Sequence, residues 1–184
     1  MASTLPSVVL VGRPNVGKST LFNRIVGGRR AIVAPLAGTT RDAIALNATW
    51  RGVTFQIVDT GGLYGASLDP LHELVVQHGR YALDAADLVV FVVDGREGVA
   101  SGDETITQEL RRRGLPVIVA INKLDDKRAQ AGAMEFWRLG FDPVVEISAE
   151  HGTGVGDLLD EVISRVRRAP QSESAVRQIG RAHV

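Results

Sequence analysis

An α/β fold built on a mostly parallel six-stranded sheet, with one antiparallel edge strand and helices on both faces, is what the sequence predicts. Two observations carry that reading. Short runs rich in Val and Ile recur at Ser7–Val11, Val53–Val58, Leu88–Val93, Pro116–Ile121 and Pro143–Ile147, as strands buried on both faces require. Between most of them lie segments of helical length with apolar residues three and four apart.

Taken in order, the first strand is followed by an amphipathic stretch at Lys18–Val26. Ile44–Trp50 reads as a further strand, joined to Val53–Val58 through the short Arg51-Gly52 turn, so that pair is expected to be antiparallel. Helices are expected at Pro70–Leu83, Asp103–Arg113, Lys127–Leu139 and Val155–Val166. Asp69-Pro70 starts the first of these with a capping side chain and a proline tolerated at the first helical position. The last is the plainest, with Leu158, Leu159, Val162, Ile163 and Val166 on one stripe. From Arg165 to Val184 five Arg against one Glu give +4, and the polar stretch at 169–174 contains Pro170, so the domain is expected to end near Arg168, with 169–184 a linker or tail. Residues 179–184 read like translated sequencing adapter and carry no weight in the fold argument.

Composition excludes several classes. With 21 basic and 21 acidic residues among 184, the formal charge is zero, which argues against a simple polyanion binder. The 45% apolar content suits a single folded domain. No Cys is present and the four His are scattered, so neither a disulfide framework nor a zinc-like cluster is indicated. The longest apolar stretches fall far short of the ~20 residues of a membrane span, and the N-terminus has no signal-peptide pattern, which points to a cytoplasmic protein.

The chemistry sits in four motifs. Gly12-Arg13-Pro14-Asn15-Val16-Gly17-Lys18-Ser19, continued by Thr20, matches G-x-x-x-x-G-K-[ST] between the first strand and the first helix. Its backbone N–H groups and the helix N-terminus can surround phosphate, with Lys18 reaching the β and γ oxygens and the Ser19 hydroxyl ligating magnesium. Asp59-Thr60-Gly61-Gly62 follows the third strand; Asp59 suits a magnesium site reached through water, and Gly62 lets a backbone N–H approach the γ-phosphate. Asn122-Lys123-Leu124-Asp125 closes the fifth strand. Asp125 can accept both the ring N–H and the exocyclic amine of guanine, whereas adenine would present a lone pair to it; this selects GTP over ATP. The Lys123 stem can cover the base and Asn122 can tie the motif back to the phosphate loop. Ser148-Ala149-Glu150, after the last strand, offers a backbone N–H for the guanine oxygen.

Four such motifs in this order resemble the P-loop GTPases over residues 7–168. Gly-Thr-Thr-Arg-Asp at 38–42, Asp-Thr-Gly-Gly at 59–62, Leu-Gly-Phe at 139–141 and Ser-Ala-Glu-His-Gly at 148–152 narrow the resemblance to the TrmE-Era-EngA-like group. Within that group they point to the N-terminal G domain of its bacterial ribosome-assembly members. The resemblance implies that Thr40, or failing it Thr39, ligates magnesium beside Ser19 and Asp59 and senses the γ-phosphate. It also implies a GTP/GDP switch with segments at about 31–42 and 59–71. Further implied are a second G domain and a KH-like domain, the present chain being an N-terminal fragment, and a partner in the large ribosomal subunit precursor, with no DNA and no membrane. Two alternatives remain open: the G domain of a tRNA-modification GTPase, and a nucleotide-gated RNA- or ribosome-binding module.

Position 63 bears on mechanism. Leu63 stands where many GTPases carry a Gln that orients the attacking water, and it has no hydrogen-bonding group. Hydrolysis is therefore expected to be slow and to rest on Lys18, Thr40, the Gly62 N–H and a cation beside the phosphates. Asn15 stands where related GTPases coordinate potassium; the other reading of Asn15 is a turn residue that satisfies its own backbone.

Overall fold

The computed structural model describes residues 4–27, 44–61, 80–125 and 127–167, and the side chains of Ile44 and Arg128 are not among what is described. Six strands form one sheet: β1 (Ser7–Val11), β2 (Ile44–Trp50), β3 (Val53–Asp59), β4 (Leu88–Asp94), β5 (Val117–Asn122) and β6 (Val144–Glu146), in the order β2-β3-β1-β4-β5-β6. All neighbours are parallel except β2 with β3, where Trp50 pairs with Val53. The connecting residues Arg51 and Gly52 both have positive φ, 46° and 78°, the combination that a two-residue turn needs to match strand twist.

Alternation along the strands divides the core in two. Val8, Leu10, Val90, Val92, Ile118 and Ala120 face α1 (Lys18–Val26), through Leu21 and Phe22, and α4 (Val155–Val166), through Leu158, Leu159 and Val162. Val9, Val11, Val89, Phe91, Val119 and Ile121 face the other way. They pack against Ile106 and Leu110 of α2 (Ser101–Arg113), Leu83, and Phe136. Every residue of β4 and β5 is buried, so each contributes the ~1.5–3 kcal/mol of a fully buried aliphatic or aromatic side chain where it is Val, Leu, Ile or Phe. Helices thus cover both faces and leave the carboxyl ends of β1, β3, β4 and β5 along one rim.

The expected elements and the observed ones differ in several places: β6 is shorter than the expected Pro143–Ile147, and β5 starts one residue after the expected Pro116. β3, β4 and β5 each run one residue further than their apolar runs and end on Asp59, Asp94 and Asn122, polar residues whose backbone still pairs in the ladder. The segment expected as one helix over Lys127–Leu139 is an α-turn, α3 (Lys127–Gly132), followed by a 3₁₀ stretch at Ala133–Leu139. Gly132 lies at the break, where a Cβ would stand 3.2 Å from the Gly95 carbonyl, a tight approach that the glycine avoids. α2 starts at Ser101, two residues before the apolar pattern indicated, because Asp103 Oδ2 accepts the Ala100 N–H at 2.9 Å and closes the first turn. Of the helix expected at Pro70–Leu83 only the end, 80–84, is among the described residues. Its start at Asp69-Pro70 lies outside them, as do the Ala31–Asp42 segment with Thr39 and Thr40, Gly62 and Leu63, and the tail from Arg168.

Candidate functional site

The loop between β1 and α1 is shaped by backbone conformations that few residues adopt. Gly12 has φ 157° and Gly17 φ 100°, and Asn15 is left-handed at φ 65°. At Gly12 a Cβ would stand 2.4 Å from the Val92 carbonyl, and at Gly17 2.2 Å from Asn122 Nδ2, so both glycines are required by close approach as well as by conformation. The loop opens onto the N-terminus of α1, whose first N–H groups have no helical acceptors and present a positive field to an anion.

Lys18 is the buried cation of this loop, 6% exposed, and its ammonium donates to the carbonyls of Gly12 at 2.6 Å and Arg13 at 2.8 Å. Burial is the main influence on it, with the Arg13 charge acting the same way and Asp59 opposing; the net result lowers its pKa to about 8. A phosphate at the loop would restore the charge balance that burial disturbs. Ser19 Oγ donates to Asp59 Oδ2 at 3.2 Å, and Asp59 Oδ1 accepts the Gly61 N–H at 3.0 Å. A hydroxyl and a carboxylate converging in this way form an all-oxygen donor pair that fits magnesium, which takes few protein ligands and keeps its remaining positions for water and phosphate. Thr60 turns inward and donates from Oγ1 to the Leu10 carbonyl at 2.6 Å, fixing β3 against β1.

The base-side motif is wired to the phosphate loop by Asn122, which is 3% exposed. Its Nδ2 donates to the Val16 carbonyl at 2.9 Å, and its Oδ1 accepts the Ala149 N–H at 2.9 Å. One amide therefore holds three predicted segments together. Lys123 is left-handed at φ 66°, and its ammonium donates to the Asn15 carbonyl at 2.6 Å and to Asp94 Oδ2 at 2.8 Å, laying its stem along the loop. Asp125, at the rim, has Arg96 Nη2 3.5 Å and His151 Nε2 3.9 Å from its Oδ2. The Ser148–Gly152 turn is closed by the Gly152 N–H donating to the Ser148 carbonyl at 2.7 Å. Arg24 of α1 reaches across to donate to the carbonyls of Ala149 and Glu150.

Several predicted residues sit in this cluster without aiming a side chain into it. Arg13 points away: its Nε donates to Asp103 Oδ1 at 3.0 Å and its Nη2 to Glu97 Oε2 at 2.9 Å, anchoring the loop to the start of α2. Leu124 packs on the second core cluster beside Gly95, and Val16 is buried in the first. Pro14, Asn15 and Thr20 are exposed on the loop and first helical turn, and Ser19, exposed beside them, is the one that turns its Oγ inward, to Asp59. Among the described residues the Asn15 side chain has no hydrogen-bond partner, so the turn reading accounts for its backbone and leaves its amide unassigned. Gly62, Leu63 and Thr40 lie outside the described residues. Sequence reasoning missed Asp94, which is 4% exposed at the end of β4 and accepts both the Lys123 ammonium and the Arg96 N–H, the latter at 2.9 Å. A lone Asp after an apolar run looks like any turn residue, and only its position beside Asn122 in the parallel register would have marked it.

The phosphate loop, the paired Ser19 and Asp59, and the carboxylate at Asp125 line one rim of a parallel sheet in the arrangement of a P-loop GTPase domain. The 50S ribosome-binding GTPase family matches residues 7–123, and the chain belongs to it. Among its curated relatives, GTPase Der of Natranaerobius thermophilus is 49% identical over 161 residues, spanning 88% of this chain and 36% of that protein. GTPase Der of Caldicellulosiruptor saccharolyticus is 45% identical over 159 residues, 86% of this chain and 36% of that protein. The chain thus spans about a third of the length of these relatives, which it matches as a single G domain. Of solved structures, Era in complex with MgGDPNP and nucleotides 1506–1542 of 16S ribosomal RNA superposes with a TM-score of 0.75 at 31% identity, covering 89% of this chain and 57% of Era. Among the described residues no helix is long and apolar enough to cross a membrane.

Proposed function

We propose that this domain is the nucleotide switch of a ribosome-assembly GTPase of the Der type, binding GTP with magnesium and hydrolysing it slowly to GDP and phosphate. The observation that carries the reading is the Asn122 amide, which joins the phosphate loop at Val16 to the base-side turn at Ala149, so that phosphate and base are gripped by one rigid unit. The family's description, a 50S ribosome-binding GTPase, supports the ribosomal role and a large-subunit partner in place of a membrane or DNA, and the relatives' names support the Der type. The cytoplasm is the compartment that this role implies.

Within the site, Ser19 and Asp59, joined by Thr40 on the resemblance, would hold magnesium, which supplies charge neutralisation between the β and γ phosphates. Lys18 contributes a fixed positive charge at the same oxygens, and the loop N–H groups orient the phosphates in line for attack by water. With Leu63 in the place of a water-orienting Gln, Asn15 is the residue that would hold a potassium ion, which would supply the remaining charge stabilisation. Partner binding then follows the nucleotide state.

Phosphate release from GTP and from ATP, each with magnesium, tests this directly on the chain and on Lys18→Ala and Ser19→Ala. Turnover confined to GTP and lost in both variants supports the reading. Equal turnover of ATP, or retention of activity in both variants, contradicts it.

A further inference from the structure

A guanidinium and an imidazole approach one oxygen of Asp125, the carboxylate assigned to guanine. Arg96 Nη2 is 3.5 Å and His151 Nε2 3.9 Å from Asp125 Oδ2. Reading guanine takes both carboxylate oxygens, one for the ring N–H and one for the exocyclic amine, so a guanidinium on Oδ2 shares an oxygen that the base uses and draws on the same negative charge.

The root of Arg96 is fixed relative to Asp125. Its N–H donates to Asp94 Oδ1 at 2.9 Å, and Asp94 in turn accepts the Lys123 ammonium at 2.8 Å. Gly95, between them, has no room for a side chain: a Cβ there would stand 2.7 Å from Leu124 Cδ2 and 3.0 Å from the Asn122 carbonyl. The backbone is therefore held against the Asn122–Asp125 segment. The Arg96 side chain itself is 56% exposed, so leaving Asp125 returns its guanidinium to water. Glu97, the next residue, pairs with Arg13 and ties the same short segment to the phosphate loop.

We propose that Arg96 competes with guanine for Asp125: it caps the carboxylate when the base is away and is displaced when the base binds, so that it weakens nucleotide affinity and hastens release. The inference rests on the guanine-nucleotide reading of the site. A base leaving a lone carboxylate gives up two charge-assisted hydrogen bonds; with Arg96 at hand, one of them is replaced as the base departs. Exposed ion pairs of this kind shift an equilibrium by about 1.5- to 5-fold, which sets the size of the expected effect.

The test uses the full 184-residue chain. Affinity and release of fluorescently labelled GDP are measured by stopped-flow chase for the parent, Arg96→Gln and Arg96→Lys, at low and high salt. Arg96→Gln should bind about 1.5- to 5-fold tighter, mainly through slower release. The gain should shrink at high salt, and Arg96→Lys should stay near the parent, neither of which a merely structural role would produce. A xanthosine nucleotide bound to Asp125→Asn should be insensitive to Arg96→Gln, because the variant amide no longer attracts a cation. Arg96→Gln binding as the parent does, or more weakly, overturns the proposal. If the parent itself fails to prefer GDP over ADP, the guanine reading falls first; if it prefers GDP and Arg96→Gln gains nothing, only the role of Arg96 falls.

Discussion

Gly17 and Asn122, separated by most of the sheet in sequence, are in van der Waals contact: a Cβ at Gly17 would stand 2.2 Å from Asn122 Nδ2. The backbone at Gly17, φ 100°, is closed to L side chains as well. Conformation and contact therefore impose the same residue, and the phosphate loop is shaped by the side chain that also organises the base-side motif.

Gly17→Ala should destabilise the domain by at least ~1–2 kcal/mol from the backbone alone, with a further cost from the displaced amide. Asn122→Ala should be costly independently, since it leaves the Val16 carbonyl and the Ala149 N–H without their partner, at about 1–3 kcal/mol for each buried group. Because the two residues touch, the costs should not add: denaturant unfolding of the double variant should show a coupling of about 0.5–3 kcal/mol. Strict additivity would mean that the loop rearranges away from Asn122.

Nucleotide affinity should depend on pH through Lys18. Burial lowers its pKa to about 8, and a bound phosphate raises it again. Below that value the ammonium is protonated with and without nucleotide, so Lys18 should contribute no pH dependence. Above it, binding must take up a proton, and affinity should fall with rising pH, approaching about tenfold per unit. Titration calorimetry in buffers of different ionisation enthalpy checks the proton uptake. Lys18→Ala isolates the slope due to the guanine ring itself, and an identical slope in parent and variant would contradict the assignment.

Much of this site was legible because its chemistry is local in sequence. The phosphate loop and the Asn122–Asp125 segment each pack their functional groups into a few consecutive residues at the end of an apolar run, and the strand runs themselves are unmistakable where both faces are buried. The direction of Arg13 was not legible, since its partners Glu97 and Asp103 lie more than 80 residues on. Asp94 was hidden for the same reason: its meaning comes from the β4–β5 register, which places it opposite Asn122. The break in the segment after Lys127 was not legible either: Gly132 there lies close to the Gly95 carbonyl, and helical spacing alone carries no trace of that neighbour.

Hydrolysis should be faster in potassium than in sodium, and Asn15→Ala should abolish the difference. Asn15 is exposed at left-handed φ, and its side chain has no partner among the described residues, leaving its amide oxygen available to a cation. Single-turnover rates in the two salts decide the matter, equal rates in the parent counting against a potassium role. Leu63→Ala should change turnover only modestly, for its side chain has no group that orients water; a loss near a thousandfold would assign that position a part in the chemistry.

The central claim is that Asp125 reads guanine at a site whose phosphate grip lies in residues 12–20. Losing one partner of a charge-assisted pair costs about 1.5–3 kcal/mol, or roughly 10- to 150-fold in affinity. Competition binding of GTP, xanthosine triphosphate and ATP to the parent and to Asp125→Asn measures it most directly. The parent should favour GTP over both others, and Asp125→Asn should lose affinity for GTP by that factor while gaining it for xanthosine triphosphate. Unchanged relative affinities for GTP and xanthosine triphosphate in the variant would contradict the account.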